Sequence, residues 1–427
     1  MNQTDLVLQK SLTNRLEKLK KNALKLGLLN QENKNNILLK LEQLLEQNAE
    51  KLFSYNMQDC ELFKKNPHFT QALLDRLTLT PQRLKGILES LRQVREQKDL
   101  VGEVFDRREL ANGLIAERVR APLGTIFMIF ESRPNVVIEA FSLALKSGNA
   151  LILKGGKESS FTVEFMYGLI NEALGNYADS FWGLENHDLT ISRQVTDFLI
   201  RQDQFIDVLI PRGGEALIEY VKNNSRIPLI KNDRGLCHVY IGSDANYKMS
   251  EEIVINSKTQ RPSVCNAMET LLVDKNWSTE NFKNLIHALQ KAKVSIMACE
   301  KTVQKYPELK LEKANAESFR TEYLDLVMNL KIVENVEEAI EHISEYGSHH
   351  SEAIITENKL HALHFQKMVD AAAVYWNAST RFTDGFELGL GGEMGISTQK
   401  LHVRGPVGLE HLTCLKWCIT GTGQIRK

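Results

Sequence analysis

Cys265 stands in the run Thr259-Gln260-Arg261-Pro262-Ser263-Val264-Cys265-Asn266-Ala267-Met268-Glu269-Thr270-Leu271-Leu272-Val273. The Pro/Ser/Asn composition around the thiol reads as a turn. The apolar run after it reads as a buried strand. A structural thiol belongs inside such a strand, whereas a reactive one belongs on the loop at its mouth, where substrate reaches it. The pattern points to covalent sulfur chemistry.

The other cysteines are Cys60, Cys237, Cys299, Cys414 and Cys418. None forms a CxxC pair or has a histidine at zinc spacing, and six in 427 residues is too sparse for a disulfide scaffold. Cys414 and Cys418 are expected to share a helix face as small packing residues. His349, His350 and His402 lack carboxylate partners at metal spacing, so they read as solvated or packing histidines and no metal site is expected. The start, MNQTDLVLQKSLTNRLEK, has no apolar core of signal-peptide length. No run approaches the ~20 apolar residues of a membrane span. These features predict a soluble, cytoplasmic, thiol-reduced protein. A net charge of −1, from 53 basic and 54 acidic residues, provides no global field for nucleic acid or anionic membrane.

A chain of 427 residues exceeds one ordinary core, so two or three domains are expected. Residues 1 to about 100 are helical in pattern. Asn112-Gly113, between two charged strand-like arms, predicts a projecting hairpin. From Pro122 strands and helices alternate, which predicts a parallel sheet with helices on both faces. Such sheets bind nucleotides beyond the carboxyl ends of their strands. Three loops are placed there: Glu131-Ser132-Arg133-Pro134, Lys154-Gly155-Gly156-Lys157 and Pro211-Arg212-Gly213-Gly214. The last two set glycines and basic residues ahead of a helix, a setting that suits phosphate as well as an ordinary turn. GxGxxG and P-loop motifs are both missing. After Cys265 a second α/β unit follows, and the chain closes with Gly389-Leu390-Gly391-Gly392-Glu393-Met394-Gly395 and an apolar tail at 412–419.

This arrangement resembles the aldehyde dehydrogenase superfamily, and within it the glutamyl-phosphate reductase (glutamate-5-semialdehyde dehydrogenase) family. The motifs that carry the resemblance are ESRPNVVIEAF at 131–141, SGNALILKGGKES at 147–159, RPSVCNAMETLLV at 261–273, LGGEMGISTQKLHVRGPVGLE at 390–410 and GQIR at 423–426. It covers essentially the whole chain in collinear order. The resemblance implies an α/β fold of two doubly wound parallel-sheet domains with a small β-hairpin and C-terminal oligomerisation element. Residues 1–102 and 122–255 would bind NADP(H), 256–390 would carry Cys265, and 103–121 with 396–427 would join subunits of a homo-oligomer.

The implied reaction is NADPH-dependent reduction of L-glutamyl 5-phosphate to glutamate 5-semialdehyde in proline biosynthesis, with Cys265 as nucleophile and a thioester intermediate. The oxyanion needs fixed donors, each worth on the order of 3 kcal/mol of barrier. The Cys265 backbone N–H is one, and Ser132, Asn266, Arg133 and Arg404 are candidates for the remaining oxyanion and substrate contacts. Arg261 is a further candidate for binding a substrate anion. Oxidative superfamily members carry a water-activating glutamate where this chain has Asn232-Asp233-Arg234-Gly235-Leu236-Cys237-His238, so water is not the expected acceptor of the thioester. Asp233 is a weaker candidate base. Lys154 matches the lysine on the adenosine ribose, and Glu322 matches the glutamate on the nicotinamide ribose. Lys157 replaces a glutamate that repels a 2′-phosphate, which favours NADP(H). Gly213 and Gly214 complete the cofactor candidates.

Three rival readings are an oxidising aldehyde dehydrogenase acting on a small aldehyde, a thiol hydrolase, and a non-catalytic scaffold for glutamate kinase. A transient complex with that kinase also fits an enzyme whose substrate cyclises readily. Lys157→Glu is expected to move cofactor preference from NADPH toward NADH. An unchanged ratio of kcat/KM for the two cofactors would dispose of the charge argument.

Overall fold

The computed structural model describes residues 3–67, 69–131, 133–186, 189–231 and 234–426. The chain divides into two compact units. The first comprises Met1–Asn232, Gly389–Gly395 and Pro406–Lys427, and the second Asp233–Leu388 and Ile396–Gly405.

In the first unit, strands β1 (Val104–Glu109) and β2 (Ile115–Pro122) form the hairpin, and the C-terminal strand Thr413–Thr420 pairs antiparallel with β2. The C-terminal strand thus pairs with the hairpin of its own chain. Trp417 lies opposite Arg118, whose guanidinium packs over both the Phe105 and Trp417 rings. Cys414 and Cys418 sit on this strand rather than on a helix. Cys414 is exposed because a three-stranded ribbon has no second layer to cover it, which corrects its reading as a packing residue.

Strands β3 (Thr125–Phe130), β4 (Ala150–Lys154), β5 (Phe181–Leu184) and β6 (Val208–Arg212) form a parallel sheet in the order β5-β4-β3-β6. Every residue of β3 is buried, as an apolar run covered on both faces must be. Leu12, Leu16 and Leu19 of helix Gln3–Gly27 and Leu199 of helix Leu189–Leu199 cover one face, against Phe127, Ile152 and Trp182. Phe141 and Tyr167, from helices Asn135–Lys146 and Ser160–Leu174, pack on Phe181 across the other. The chain steps outward from β3 to β5 and then returns to place β6 beside β3. The order therefore reverses between β3 and β6, where ligands of such sheets bind beyond the carboxyl ends.

Two fully buried lysines tie the N-terminal helices to this sheet layer. Lys34 Nζ donates to Asp99 Oδ2 at 2.7 Å and to the Lys146 carbonyl at 3.2 Å. Lys146 Nζ donates to Asn35 Oδ1 and to the Arg95 carbonyl, each at 2.7 Å. Burial draws the Lys146 ammonium down to about 8.

The second unit holds seven parallel strands: β7 (Cys237–Ile241), β8 (Met268–Asp274), β9 (Ser295–Ala298), β10 (Glu312–Lys313), β11 (Val327–Val333), β12 (Ser351–Ile355) and β13 (Ala373–Trp376). Their order is β10-β9-β11-β8-β7-β12-β13. Val254, Phe282, Leu285 and Leu289 belong to the core on one face, and Val336, Ala339, Ile343 and Phe365 to the core on the other. β7 pairs with both β8 and β12, and helix Tyr247–Thr259 precedes the Cys265 loop. The expected domain boundary at 255/256 therefore moves to 232/233, since strand pairing assigns β7 to the second sheet. The short strands β5, β9 and β10 and helix Leu189–Leu199 had no reading in the sequence. A further helix lies at Lys359–Met368.

Asp99→Ala would leave the Lys34 ammonium buried without its counter-charge. The expected loss is about 3–5 kcal/mol of stability, read as a lower urea midpoint, with recovery in the Asp99→Ala/Lys34→Met pair.

Candidate active site

Cys265 lies at the amino end of the second sheet, on the loop between helix Tyr247–Thr259 and β8, and is half-exposed. Its carbonyl oxygen accepts the Cys237 thiol at 3.1 Å. Burial and the Glu352 carboxylate push the Cys237 thiol well up, so it stays protonated and donates. The backbone of Gly235 presses on the same carbonyl. A Cβ there would overlap the Cys265 oxygen, so only glycine fits. Asn266, buried, donates through Nδ2 to the carbonyls of Thr383 at 2.7 Å and Arg381 at 3.3 Å, and its own carbonyl accepts Thr380 Oγ1 at 2.7 Å. The oxyanion role expected of Asn266 is not what these contacts provide, because its amide is spent on two backbone carbonyls. Asn266 anchors the loop, and the Cys265 backbone N–H and neighbouring groups are left to meet an oxyanion.

Glu322 sits between the turn Ser318–Arg320 and β11 and accepts the Gly235 N–H at 2.8 Å. Its loop rests on a buried polar network. Leu324, at φ 54°, donates its N–H to Glu269 Oε1 at 3.3 Å. Glu269 Oε2 in turn receives Lys258 Nζ at 3.0 Å, with both side chains almost fully buried. Burial raises the Glu269 carboxyl to about 7 even though Lys258 opposes the shift. Tyr323 donates to Asn329 Oδ1 at 3.0 Å, and Asn329 Nδ2 to the Ser318 carbonyl at 2.9 Å. The loop carrying Glu322 is therefore tied down from below.

In the first unit the cofactor candidates gather at the carboxyl ends of the strands. Lys154 ends β4 and donates to the Gly155 carbonyl at 3.1 Å and to Asn186 Oδ1. Burial draws its ammonium down to about 8, against Glu158 and Glu164. Lys157 is exposed and starts the turn Lys157–Ser159 that leads into helix Ser160–Leu174. Gly214 caps helix Glu215–Asn224, and its N–H donates to Glu131 Oε2 at 2.8 Å. A Cβ on Gly213 would come within 2.6 Å of the Glu131 carboxyl carbon. This helix start thus already holds an anionic group at close range, as a phosphate-binding terminus must.

No protein-family model matches the chain. The gamma-glutamyl phosphate reductase of Carboxydothermus hydrogenoformans is 46% identical over 413 residues, which cover 97% of this chain and 99% of that protein. The protein of the same name from Nitratiruptor sp. is 44% identical over 421 residues, covering 96% and 99%. The chain belongs to the gamma-glutamyl phosphate reductase family. The crystal structure of the Thermotoga maritima gamma-glutamyl phosphate reductase matches with a TM-score of 0.90 at 38% identity, covering 97% of this chain and 100% of that one. An acetylating aldehyde dehydrogenase from Geobacillus thermoglucosidasius matches with a TM-score of 0.72 at 17% identity, with both chains covered fully, which shows the aldehyde-dehydrogenase-like fold.

For a member of this family, several expected residues take particular places. Ser132 and Asp233 lie outside the described residues. Arg133 precedes helix Asn135–Lys146, and its carbonyl accepts the Val136 N–H at 3.1 Å. Arg404 Nη1 is paired with Asp370 Oδ1 at 2.8 Å, and Lys400 with the other oxygen of that carboxylate at 2.7 Å. These two cations hold the Asp370 carboxyl down to about 2. The pairing engages one nitrogen of Arg404, while its Nε and Nη2 are buried without a hydrogen-bond partner. His349 Nδ1 meets the Asp370 carbonyl at 2.6 Å, and His350 is buried with Nδ1 2.8 Å from Ser351 Oγ. Among the described residues no group of three or more His, Cys, Asp or Glu is arranged to hold a metal, and no helix is long and apolar enough to cross a membrane. The sequence reading missed Asn186, Glu131, Glu269 and Arg381. Glu131 and Glu269 had a signal, their places in the ESRP and RPSVCNAMETLLV motifs.

Glu269 makes a pH signature. Its folded value near 7 lies above the ordinary 4.5, so its contribution to stability is full below pH 4.5 and is lost as pH rises toward 7. Urea midpoints measured across that window are expected to fall with pH in the wild type. Glu269→Gln should flatten that fall and lower stability overall, because Lys258 loses its counter-charge.

Proposed function

We propose that this chain reduces L-glutamyl 5-phosphate to L-glutamate 5-semialdehyde with NADPH, releasing phosphate, as a step of proline biosynthesis. The observation that carries the reading is a half-exposed thiol on an immobilised loop, in a chain 46% identical to a protein named for that reductase activity. Cys265, as thiolate, attacks the C5 carbonyl. The C5–O bond to phosphorus breaks, phosphate leaves with the bonding pair, and a thioester remains. Oxygen charge developing on C5 meets the Cys265 backbone N–H.

NADPH, when bound, supplies the hydride that takes the thioester to the aldehyde level. Lys154, Lys157, Gly213 and Gly214 would hold it. The fit rests on three features: the amine of Lys154 beside Asn186, the exposed charge of Lys157, and a helix start that already accepts a carboxylate. Lys157 favours the 2′-phosphate of NADP(H). Among the described residues, Glu269 is committed to Lys258, and Glu352 receives the His238 N–H at 2.7 Å. The same reading places the enzyme in the cytoplasm as a homo-oligomer, dimer or larger, joined through the hairpin and C-terminal segment. A transient handover of glutamyl phosphate from glutamate kinase belongs to it as well.

Glutamate semialdehyde, NADP⁺ and phosphate should together generate NADPH absorbance. A rate independent of phosphate would sink the reaction. Cys265→Ala should lower turnover by at least ~10³-fold while NADPH still binds, and retained turnover would remove Cys265 as nucleophile.

A further inference from the structure

Arg381 had no part in the expectations drawn from the sequence, yet the fold brings it to the nucleophile loop. It lies in the turn Thr380–Phe382 that follows β13, and hydrogen bonds bracket it on both sides of Cys265. Ahead of the cysteine, Gln260 Oε1 accepts Arg381 Nε at 2.9 Å. Behind it, Asn266 holds the Arg381 carbonyl, and Thr380 Oγ1 donates to the Asn266 carbonyl at 2.7 Å. The guanidinium is thus fixed to Gln260, and the Arg381 backbone to Asn266, on either side of Cys265. Burial weakens its hold on its proton, Asp384 strengthens it, and Arg261 acts as a like charge close by.

We propose that Arg381, with Arg261 beside it, binds the phosphate of the acyl phosphate substrate and, in reverse, the free phosphate that attacks the thioester. The inference rests on the reductase reading and names the anion site within it. Geometry within the substrate selects the phosphate. In glutamyl 5-phosphate the phosphorus is joined through one oxygen to the carbon that Cys265 attacks, whereas the α-carboxylate lies four carbon–carbon bonds from it. A cation fixed beside the thiol therefore meets the phosphate first. A planar guanidinium offers paired N–H donors to two phosphate oxygens. As the C5–O bond breaks, charge builds on those oxygens, so the contact strengthens toward the leaving group. In reverse, a phosphate oxygen attacks C5, the C–S bond breaks, and the thiolate is restored beside the same cations.

The test uses the whole chain with inorganic phosphate as probe. In the reverse assay, Arg381→Gln should raise the KM for phosphate at least tenfold and Arg381→Lys by less, while the KM for NADP⁺ and semialdehyde hold. Phosphate at constant ionic strength should slow alkylation of Cys265 by iodoacetamide in the wild type and not in Arg381→Gln. An unchanged phosphate KM with protection retained overturns the proposal. So does a rise in the semialdehyde KM in place of the phosphate KM, which would put Arg381 on the α-carboxylate. Phosphate-independent turnover by the wild type would sink the reductase reading alone. The alkylation measurement reads the anion site without turnover, so protection lost in Arg381→Gln would still support it and protection kept would overturn it.

Discussion

The carbonyl group of Cys265 is the fixed point on which the candidate chemistry depends. A nucleophile must be reachable, and a reachable loop is ordinarily mobile. This chain reconciles the two by leaving the thiol half-exposed and immobilising the backbone behind it. The buried Cys237 thiol donates to that carbonyl, Gly235 packs against it with no side chain to intervene, and Asn266 pins the next peptide to the 380–383 turn. The neighbours are themselves held. Gly235 gives its N–H to Glu322, and the loop bearing Glu322 stands on Glu269 and Lys258. The buried ion pair is thus two hydrogen-bonding steps from the backbone around the reactive sulfur. Its value is less in net stability, which buried pairs seldom add, than in fixing one arrangement of loops.

The first unit places lysines and a helix start at the carboxyl ends of its strands. The strand order reverses between β3 and β6, and the start of helix Glu215–Asn224 opens at that point. Glu131 now fills the position with its own carboxylate on the Gly214 N–H. A cofactor phosphate using this amide must displace Glu131. The resident carboxylate satisfies the Gly214 amide donor.

Much of this was legible in the sequence, and the limits have physical causes. The β3 run TIFMIF and the β8 run METLLVD announce buried strands because a parallel strand covered on both faces must be apolar throughout. The turn at Cys265 was legible because proline, serine and asparagine concentrate there. The short strands β9 and β10 were not, since two to four residues carry too little periodicity. The domain boundary was misplaced because strand pairing, not local pattern, assigns β7 to the second sheet. The contacts of Asn266 were illegible for a related reason. An asparagine beside a nucleophile reads as a donor to substrate, and only the position of residues 381–383, more than a hundred positions away, shows where its donors go. Arg381 was invisible on the same account.

The charge pattern around the thiol bears on which reaction the site favours. Among the described residues of the second unit, the nearby acids are engaged: Glu269 by Lys258, Glu322 by the Gly235 N–H, and Glu352 by the His238 N–H and ring. An acid committed in this way is poorly placed to take a proton from water, as hydrolysis of a thioester requires. The basic residues Arg261 and Arg381 flank the nucleophile loop instead. A site with engaged acids and adjacent guanidinium groups stabilises a departing anion better than it activates a neutral nucleophile. Phosphate is a departing anion that needs no proton at the moment of bond cleavage.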